Sequence, residues 1–374
     1  MSKIVLGMSG GVDSSVAAYL LKEAGHDVIG LFMRNWDSSI NQDKLGNPTL
    51  NDEVCEQEKD YQDALAVAEH LKIPLHRVNF IETYWQKVFQ YFLSEYERGR
   101  TPNPDVMCNK MIKFAEFFDF GAQFNPDYYA MGHFARTAMI DGTLHLLKGV
   151  DDNKDQTYFL SQLNLSQLEK SMFPIGHLLK KEVREIALKA NLPTAKKKDS
   201  TGICFIGERD FNQFLNNYLP AKKGPIINEK GDVLGEHTGL MHYTIGQRKG
   251  IGIGGTKDFG TDPWFVLGKD LQKNTLLVGQ GYHHPLLYGT HAFASSLNWI
   301  AEPFKTLRCQ AKFRHRQKDL AVEIKHDEKG IRIEFLEPSR AVTPGQAVVF
   351  YDDERCLGGA FIDEVYIDEV KLPR

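Results

Sequence analysis

The sequence predicts an α/β protein: a parallel-sheet domain, then a small central domain, then a C-terminal antiparallel β-barrel. Three observations carry this. Short apolar runs alternate with helical spacing over the first two hundred residues, the pattern of a parallel sheet covered on both faces. A glycine- and serine-rich turn separates the first run from the first helix. Later, helices become scarce and glycine dense, and from about residue 285 short alternating runs take over. These shifts place boundaries at 1–203, 204–284 and 285–374, and 374 residues suffice for two or three cores.

Taken in order, Ile4-Val5-Leu6 reads as a strand and Val16 to Leu21 as a helix ending near Gly25, which suits a C-terminal cap. Val28 to Met33 is a second strand. Tyr61, Ala64, Leu65, Ala68 and Leu71 fall at helical spacing within 60–72. A strand at Leu75 to Phe80, a helix over 82–98 and a strand end at Tyr128 to His133 follow. Such sheets bind ligands beyond the carboxyl ends of their strands. The polar stretch from Asn35 to Lys59 has little periodicity and reads as an insertion or a mobile lid. Gly246, Gly250, Gly252, Gly254 and Gly255 mark the central region. Leu320 to Ile324, Ile331 to Phe335, Ala347 to Tyr351 and Ala360 to Ile362 alternate between turn residues, as barrel strands do.

Hydrophobic residues at 42% and charged residues at 25% are ordinary for a soluble protein. No apolar run approaches the ~18–20 residues of a membrane span, and the opening run turns polar too soon for a signal peptide. Five cysteines without a Cys-x-x-Cys pair argue against a disulfide framework or a zinc finger. A reducing, cytoplasmic setting with no membrane partner is expected, where a special cysteine is reactive rather than structural. The net charge of −4 conceals an uneven distribution. Residues 1–130 carry 12 Lys/Arg against 19 Asp/Glu, residues 131–318 carry 26 against 17, and residues 319–374 carry 7 against 13. A basic middle between acidic ends suits a polyanionic partner.

Ser9-Gly10-Gly11-Val12-Asp13-Ser14-Ser15 lies between the first strand and the first helix. Paired glycines let backbone approach an anion, and the helix N-terminus adds N–H donors and a favourable dipole. Asp13 is a candidate Mg²⁺ partner, because phosphate-bound magnesium takes one or two carboxylates. Without Gly-Lys-Ser/Thr this is not a Walker loop, nor is it Gly-x-Gly-x-x-Gly. The plain alternative is a glycine turn with a serine cap. The motif resembles the PP-loop of the N-type ATP pyrophosphatases, which cleave ATP between its α and β phosphates and transfer AMP to an oxygen. That resemblance makes the first domain a PP-loop nucleotide-binding domain and implies ATP and Mg²⁺.

Thr101 to Lys110 is a proline-stiffened loop entering a helix, with Cys108 near the helix start, where the dipole and Lys110 favour thiolate. Asp105 could exchange a proton with a substrate or thiol. The alternative for Cys108 is a small buried hydrophobe. Cys204, within Asp199-Ser200-Thr201-Gly202-Ile203-Cys204-Phe205-Ile206-Gly207, reads on its own as a buried strand cysteine. Cys55, Cys309 and Cys356 read as structural.

Over essentially its whole length the chain resembles the bacterial tRNA-uridine 2-sulfurtransferases, or tRNA-specific 2-thiouridylases. The resemblance rests on Gly7 to Ser14, Asn103-Pro104-Asp105 with Cys108-Asn109-Lys110, Lys154 to Leu160, Gly202 to Gly207, and His242 to Arg248. It implies that Cys108 is the nucleophile, Cys204 the persulfide carrier and Asp105 the acid/base. It implies ATP contacts at Gly7, Met8, Ser9, Gly10, Gly11, Val12, Asp13, Ser14, Met33 and Gly132. Asn103, Pro104 and Asp105 would meet the target base. His133, Lys154, Asp155, Gln156, Arg314, His315, Arg316 and Gln346 would meet tRNA. The implied partners are tRNA, through its anticodon wobble uridine, and a sulfur donor, either a desulfurase or a persulfide carrier. With the two cysteines so far apart in sequence, a closing loop is expected to unite them. A PP-loop synthetase acting on a small metabolite and a non-catalytic RNA-binding protein remain the alternatives.

Overall fold

The computed structural model describes residues 1–199, 202–253, 260–300, 306–327 and 330–374. Ser200, Thr201, Gly254 and Gly255, noted above, lie outside the described residues.

Strands β1 (Lys3–Gly7), β2 (Asp27–Arg34), β3 (Leu75–Asn79) and β4 (Tyr128–Ala130) form a parallel sheet. The hairpin β5 (Ala135–Ile140) and β6 (Thr143–Lys148) leaves it before β7 (Ser171–Met172) completes the order β3-β2-β1-β4-β7. Strand alternation explains why both faces are covered. Ile4, Leu6, Val28 and Phe32 enter one core, together with Val16, Ala17 and Leu21 of the helix α1 (Val12–Glu23). Val5, Leu31 and Met33 enter a second core on the other face. α1 ends at Ala24, followed by left-handed Gly25, as expected. β4 stops at Ala130, shorter than the sequence suggests.

The polar stretch after β2 leads into α2 (Glu56–Leu71) and is anchored rather than loose. Trp36 donates through Nε1 to Asp43 Oδ2 at 3.0 Å, and Arg209 pairs with the same carboxylate at 2.8 Å, with both side chains almost fully buried. Asn217 Oδ1 accepts from the Lys44 and Leu45 N–H groups. The helical stretch after β3 runs α (Ile81–Tyr84), π (Trp85–Phe89), α (Gln90–Glu97). The next one runs α (Pro104–Cys108), π (Asn109–Glu116), α (Phe117–Gly121).

The glycine-dense region forms a four-stranded sheet of β8 (Gly224–Ile227), β9 (Val233–His237), β10 (Trp264–Asp270) and β11 (Thr275–Gln280), in the order β10-β11-β8-β9. Beyond it stand β12 (Tyr288–Trp299), β13 (Thr306–Lys312), β14 (Leu320–Asp327), β15 (Gly330–Arg340), β16 (Ala347–Asp352) and β17 (Arg355–Ile367). They pair antiparallel in the order β12-β15-β14-β13-β16-β17, and β17 returns to β12. Six strands therefore close a barrel, which removes free edges. Its core holds Val322, Ile324, Ile331, Ile333, Val348 and Phe350, the inward half of the alternation. The β5–β6 hairpin extends the barrel's sheet, with Leu146 opposite Cys356 and Leu147 opposite Arg355. Among the described residues no helix is long and apolar enough to cross a membrane.

Candidate active site

The glycine turn lies where β1 hands over to α1. Gly10 is left-handed (φ 74°), and a Cβ there would lie 2.1 Å from the Asp60 carbonyl oxygen, so only glycine fits. Gly11 is the N-cap of α1 and provides no side-chain cap, which leaves the helix's first N–H groups free for an anion. The serines shape the turn: Ser14 Oγ contacts Ser9 Oγ at 3.2 Å and accepts from Ser9 N, and Ser15 Oγ donates to Gly11 O at 2.8 Å. Gly132 passes so close that a Cβ would lie 2.9 Å from Ser14 N.

Asp13 meets a partner that sequence reading missed. Lys180 Nζ donates to both Asp13 oxygens, at 2.7 and 2.9 Å, and pairs with Asp199 at 2.8 Å. Burial pushes the Asp13 carboxyl up even with this cation beside it. Among the described residues no group of three or more His, Cys, Asp or Glu side chains is arranged to hold a metal.

One cavity of about 390 Å³ joins the phosphate turn to the thiols. Gly7 to Ser9, Gly11 to Ser14, Met33 and Gly132 line one end; Asp105, Lys113, His133 and Cys204 line the other. Cys204 Sγ lies 3.6 Å from Cys108 Sγ, a contact between free thiols rather than a bond. Cys108 is fully buried and does not face the cavity, so it sits behind Cys204. The two are already together, with no further loop closure needed.

The Cys204 segment is not a strand. Ile203 and Gly207 bridge a compact turn in which Phe205 is left-handed (φ 65°). A Cβ on Gly202 would lie 2.2 Å from the Gly207 carbonyl oxygen. Three bonds from separate elements hold the turn: Cys204 N donates to Asp105 Oδ1 at 3.2 Å, Tyr84 Oη to Cys204 O at 2.9 Å, and Gln57 Nε2 to Phe205 O at 3.0 Å.

The thiolate expected at Cys108 is corrected here. Burial first, then the neighbouring Cys204, pushes the Cys108 thiol well above its usual range. Cys204 is lowered, by the hydrogen bond with Cys108 and by the charge of Lys113. The expected cation is also the wrong lysine: Lys110 donates to Gln162 Oε1 at 3.0 Å, while Lys113 reaches the thiols. Asp105 is pushed up by burial against the pull of Lys113.

A family model described as tRNA methyl transferase HUP domain matches residues 2–208. Models described as tRNA methyl transferase PRC-barrel domain and aminomethyltransferase β-barrel domain match 212–280 and 290–362. The tRNA-specific 2-thiouridylase MnmA of Enterococcus faecalis is 56% identical, covering 99% of this chain and 98% of its own. Those of Streptococcus thermophilus and Bacillus cytotoxicus are each 56% identical, covering 98% of this chain and 96% and 95% of their own. The chain belongs to the tRNA-specific 2-thiouridylase family.

Family membership directs attention to the positions expected to meet base and tRNA, and several have internal partners. Asn103 caps the helix at Pro104, accepting from the Asp105 and Val106 N–H groups. His133 is buried among Phe114 and Phe173, and burial followed by the Lys113 charge holds it neutral. Lys154 pairs with Asp199 at 2.7 Å. Asp155 is buried and accepts from Gly149 N and Thr157. Gln156 accepts from Phe134 N, and Gln346 donates to the Thr101 carbonyl at 2.7 Å. Arg314 donates to Ile245 O, Ala341 O and Thr343 Oγ1. His315 bonds Asp155 O at 2.8 Å and packs on Phe159, and Arg314 and Arg316 on either side of it are both exposed. In this thiouridylase the missed groups are Lys113, Lys180 and Tyr84, each of which lies outside any motif.

Proposed function

We propose that this chain thiolates tRNA, using ATP to activate the C2 oxygen of the wobble uridine and a sulfur carried on Cys204 to replace it. The observation that carries the reading is the arrangement of the thiols. Cys204 opens on the cavity of the phosphate turn, and Cys108 stands behind it at 3.6 Å. Two of the family-model descriptions mention methyl transfer, but the relatives 56% identical over nearly the whole chain are thiouridylases.

The uridine oxygen attacks the α-phosphorus, and pyrophosphate leaves as the α–β bond breaks. The terminal sulfur of Cys204–S–S⁻ then adds to C2, and AMP leaves with the oxygen. Cys108, passing its proton to Asp105, attacks Cys204 Sγ. An Sγ–Sγ bond forms, and the electron pair of the broken bond stays with the sulfur on the base. The disulfide is reset by two electrons from an external dithiol, and a donor persulfide reloads Cys204. The target base must leave its stack to enter the cavity. The positive residues of the central segment and Arg316 supply phosphate contacts.

Magnesium accompanying ATP takes most of its ligands from phosphate and water, so the site need offer only one or two carboxylates. Asp13 and Asp199 fit this requirement, and Lys180 pairs with both.

The test is mass spectrometry of nucleosides from tRNA incubated with the protein, ATP, magnesium and a persulfide donor, with pyrophosphate followed in parallel. The expected result is 2-thiouridine together with tRNA-dependent pyrophosphate. Pyrophosphate release indifferent to tRNA would favour a small-metabolite synthetase and overturn the reading.

A further inference from the structure

Lys113 has no part in the chemistry above. It lies five residues after Cys108, on the π stretch Asn109–Glu116. In an α-helix five residues turn through about 500°, which leaves two such side chains ~140° apart around the axis. The wider turn of a π stretch, with its i→i+5 bonding, instead brings residues five apart much nearer the same side. The helix changes type directly after Cys108, and this brings Lys113 round to the thiol side. There it lines the cavity beside Cys204 and Asp105, with Nζ 5.5 Å from the centre of the Phe205 ring.

The groups facing it come from several elements. Cys108 and Asp105 belong to its own helical stretch, Cys204 to the 202–207 turn and His133 to the segment after β4, while His315 of the barrel loop stands beside Asp105. His133 is neutral and no competitor, and Asp105 already takes the Cys204 N–H. The soft anion left for this cation is the Cys204 sulfur, which lines the same cavity and whose thiol the Lys113 charge lowers.

We propose that Lys113 is the cation that makes Cys204, rather than Cys108, the resting thiolate and then holds the transferable sulfur on it as an anion. This rests on the reading of Cys204 as sulfur carrier. In loading, the Cys204 thiolate attacks the outer sulfur of a donor persulfide. The new S–S bond forms, the donor's S–S bond breaks, and the departing donor sulfur takes up the proton released by the transferred one, leaving as a thiol. Lys113 then faces Cys204–S–S⁻. The fully buried Cys108 stays protonated until its own step.

The experiment is alkylation of the full chain by iodoacetamide across pH, read by peptide mass spectrometry, with exposed Cys55 as internal reference. In the wild type, Cys204 should reach half its limiting rate at lower pH than Cys55. In Lys113→Gln the Cys204 profile should move up by at least about one unit, cutting its thiolate fraction at neutral pH roughly tenfold. Lys113→Arg should restore it. A Gln profile that overlays the wild type overturns the proposal. So does a wild-type Cys204 that titrates above Cys55, a comparison that needs no variant to fold. Neither tRNA nor a sulfur donor takes part, so unthiolated tRNA alongside the stated shift would sink the functional reading and leave Lys113 in place.

Discussion

Asp199 gathers Lys154, Lys180 and Arg184 around one carboxylate at the edge of the cavity. Partial burial pushes this carboxyl up, but hydrogen bonds from Lys154 and Lys180 hold it down at about 2. A carboxylate depressed in the folded state adds stability that is complete above its unfolded value of about 3.9 and is lost as pH falls through the folded one. Asp199→Asn should therefore melt below wild type at neutral pH, with the difference closing between about pH 4 and 2. A gap constant with pH would show that the cations do not act through this charge. At the thiols, Cys204→Ser should accept no sulfur from a persulfide donor, whereas Cys108→Ser should load and then stall, with thiolation at background in both. Intact-mass measurement reads the added sulfur, and full thiolation by either variant would end the paired-cysteine scheme. Cys108 stood out in its polar, proline-flanked loop, whereas Cys204 reads alone as a strand cysteine and owes its assignment to the resemblance. Lys113 was not legible, because an α-helical reading turns it away from Cys108, and no residue pattern announced the π stretch. Lys180 was equally hidden, 167 positions from the Asp13 it neutralises.

The phosphate turn, the helix entry at Asn103 and the 202–207 turn form the site, and each depends on backbone that a side chain would disturb or a cap must hold. The first was readable, since strand, glycine pair and helix follow one another in sequence. The third misled: Ile203-Cys204-Phe205-Ile206 has strand composition, yet Gly202 and Gly207, both left-handed, fold it back on itself. The prediction at this scale concerns Gly132, the crossing point between two elements. A methyl group there meets the backbone of Asp13 and Ser14, which cannot rotate away as a side chain could. Gly132→Ala should weaken ATP binding by on the order of tenfold or more through displacement of the turn, with tRNA affinity nearly unchanged. Isothermal titration with ATP and a filter-binding assay with tRNA separate the two, and an unaltered ATP affinity would refute the close-approach argument.

Across the whole molecule, the barrel was legible from alternation, but its attachment was not. The β5–β6 hairpin reads as part of the first domain and pairs with β17 some 200 residues later, through long-range contacts that local pattern does not encode. The basic run Arg314-His315-Arg316 shows the same limit, because sequence assigns all three to tRNA while the fold divides them. Arg314 bonds Ile245 of the central region and Ala341 and Thr343 of the barrel, so its charge is spent on a joint. Removing it takes away all three bonds and leaves Ile245 O to find a new donor, while Ala341 O keeps the Thr343 hydroxyl, a cost of about 1–3 kcal/mol. Arg314→Ala should lower the Tm by a few degrees, and any loss of tRNA affinity should follow from the loosened joint. Arg316, exposed on the same loop as Arg314 also is, can meet a phosphate without giving up such bonds. Arg316→Ala should leave the Tm in place and flatten the slope of log affinity against log salt by about 0.7–0.9, the signature of one lost phosphate contact. Salt titrations of tRNA binding for the two variants, beside their melting curves, decide the matter. If Arg314→Ala flattens the slope while melting like wild type, the joint is not what holds that guanidinium.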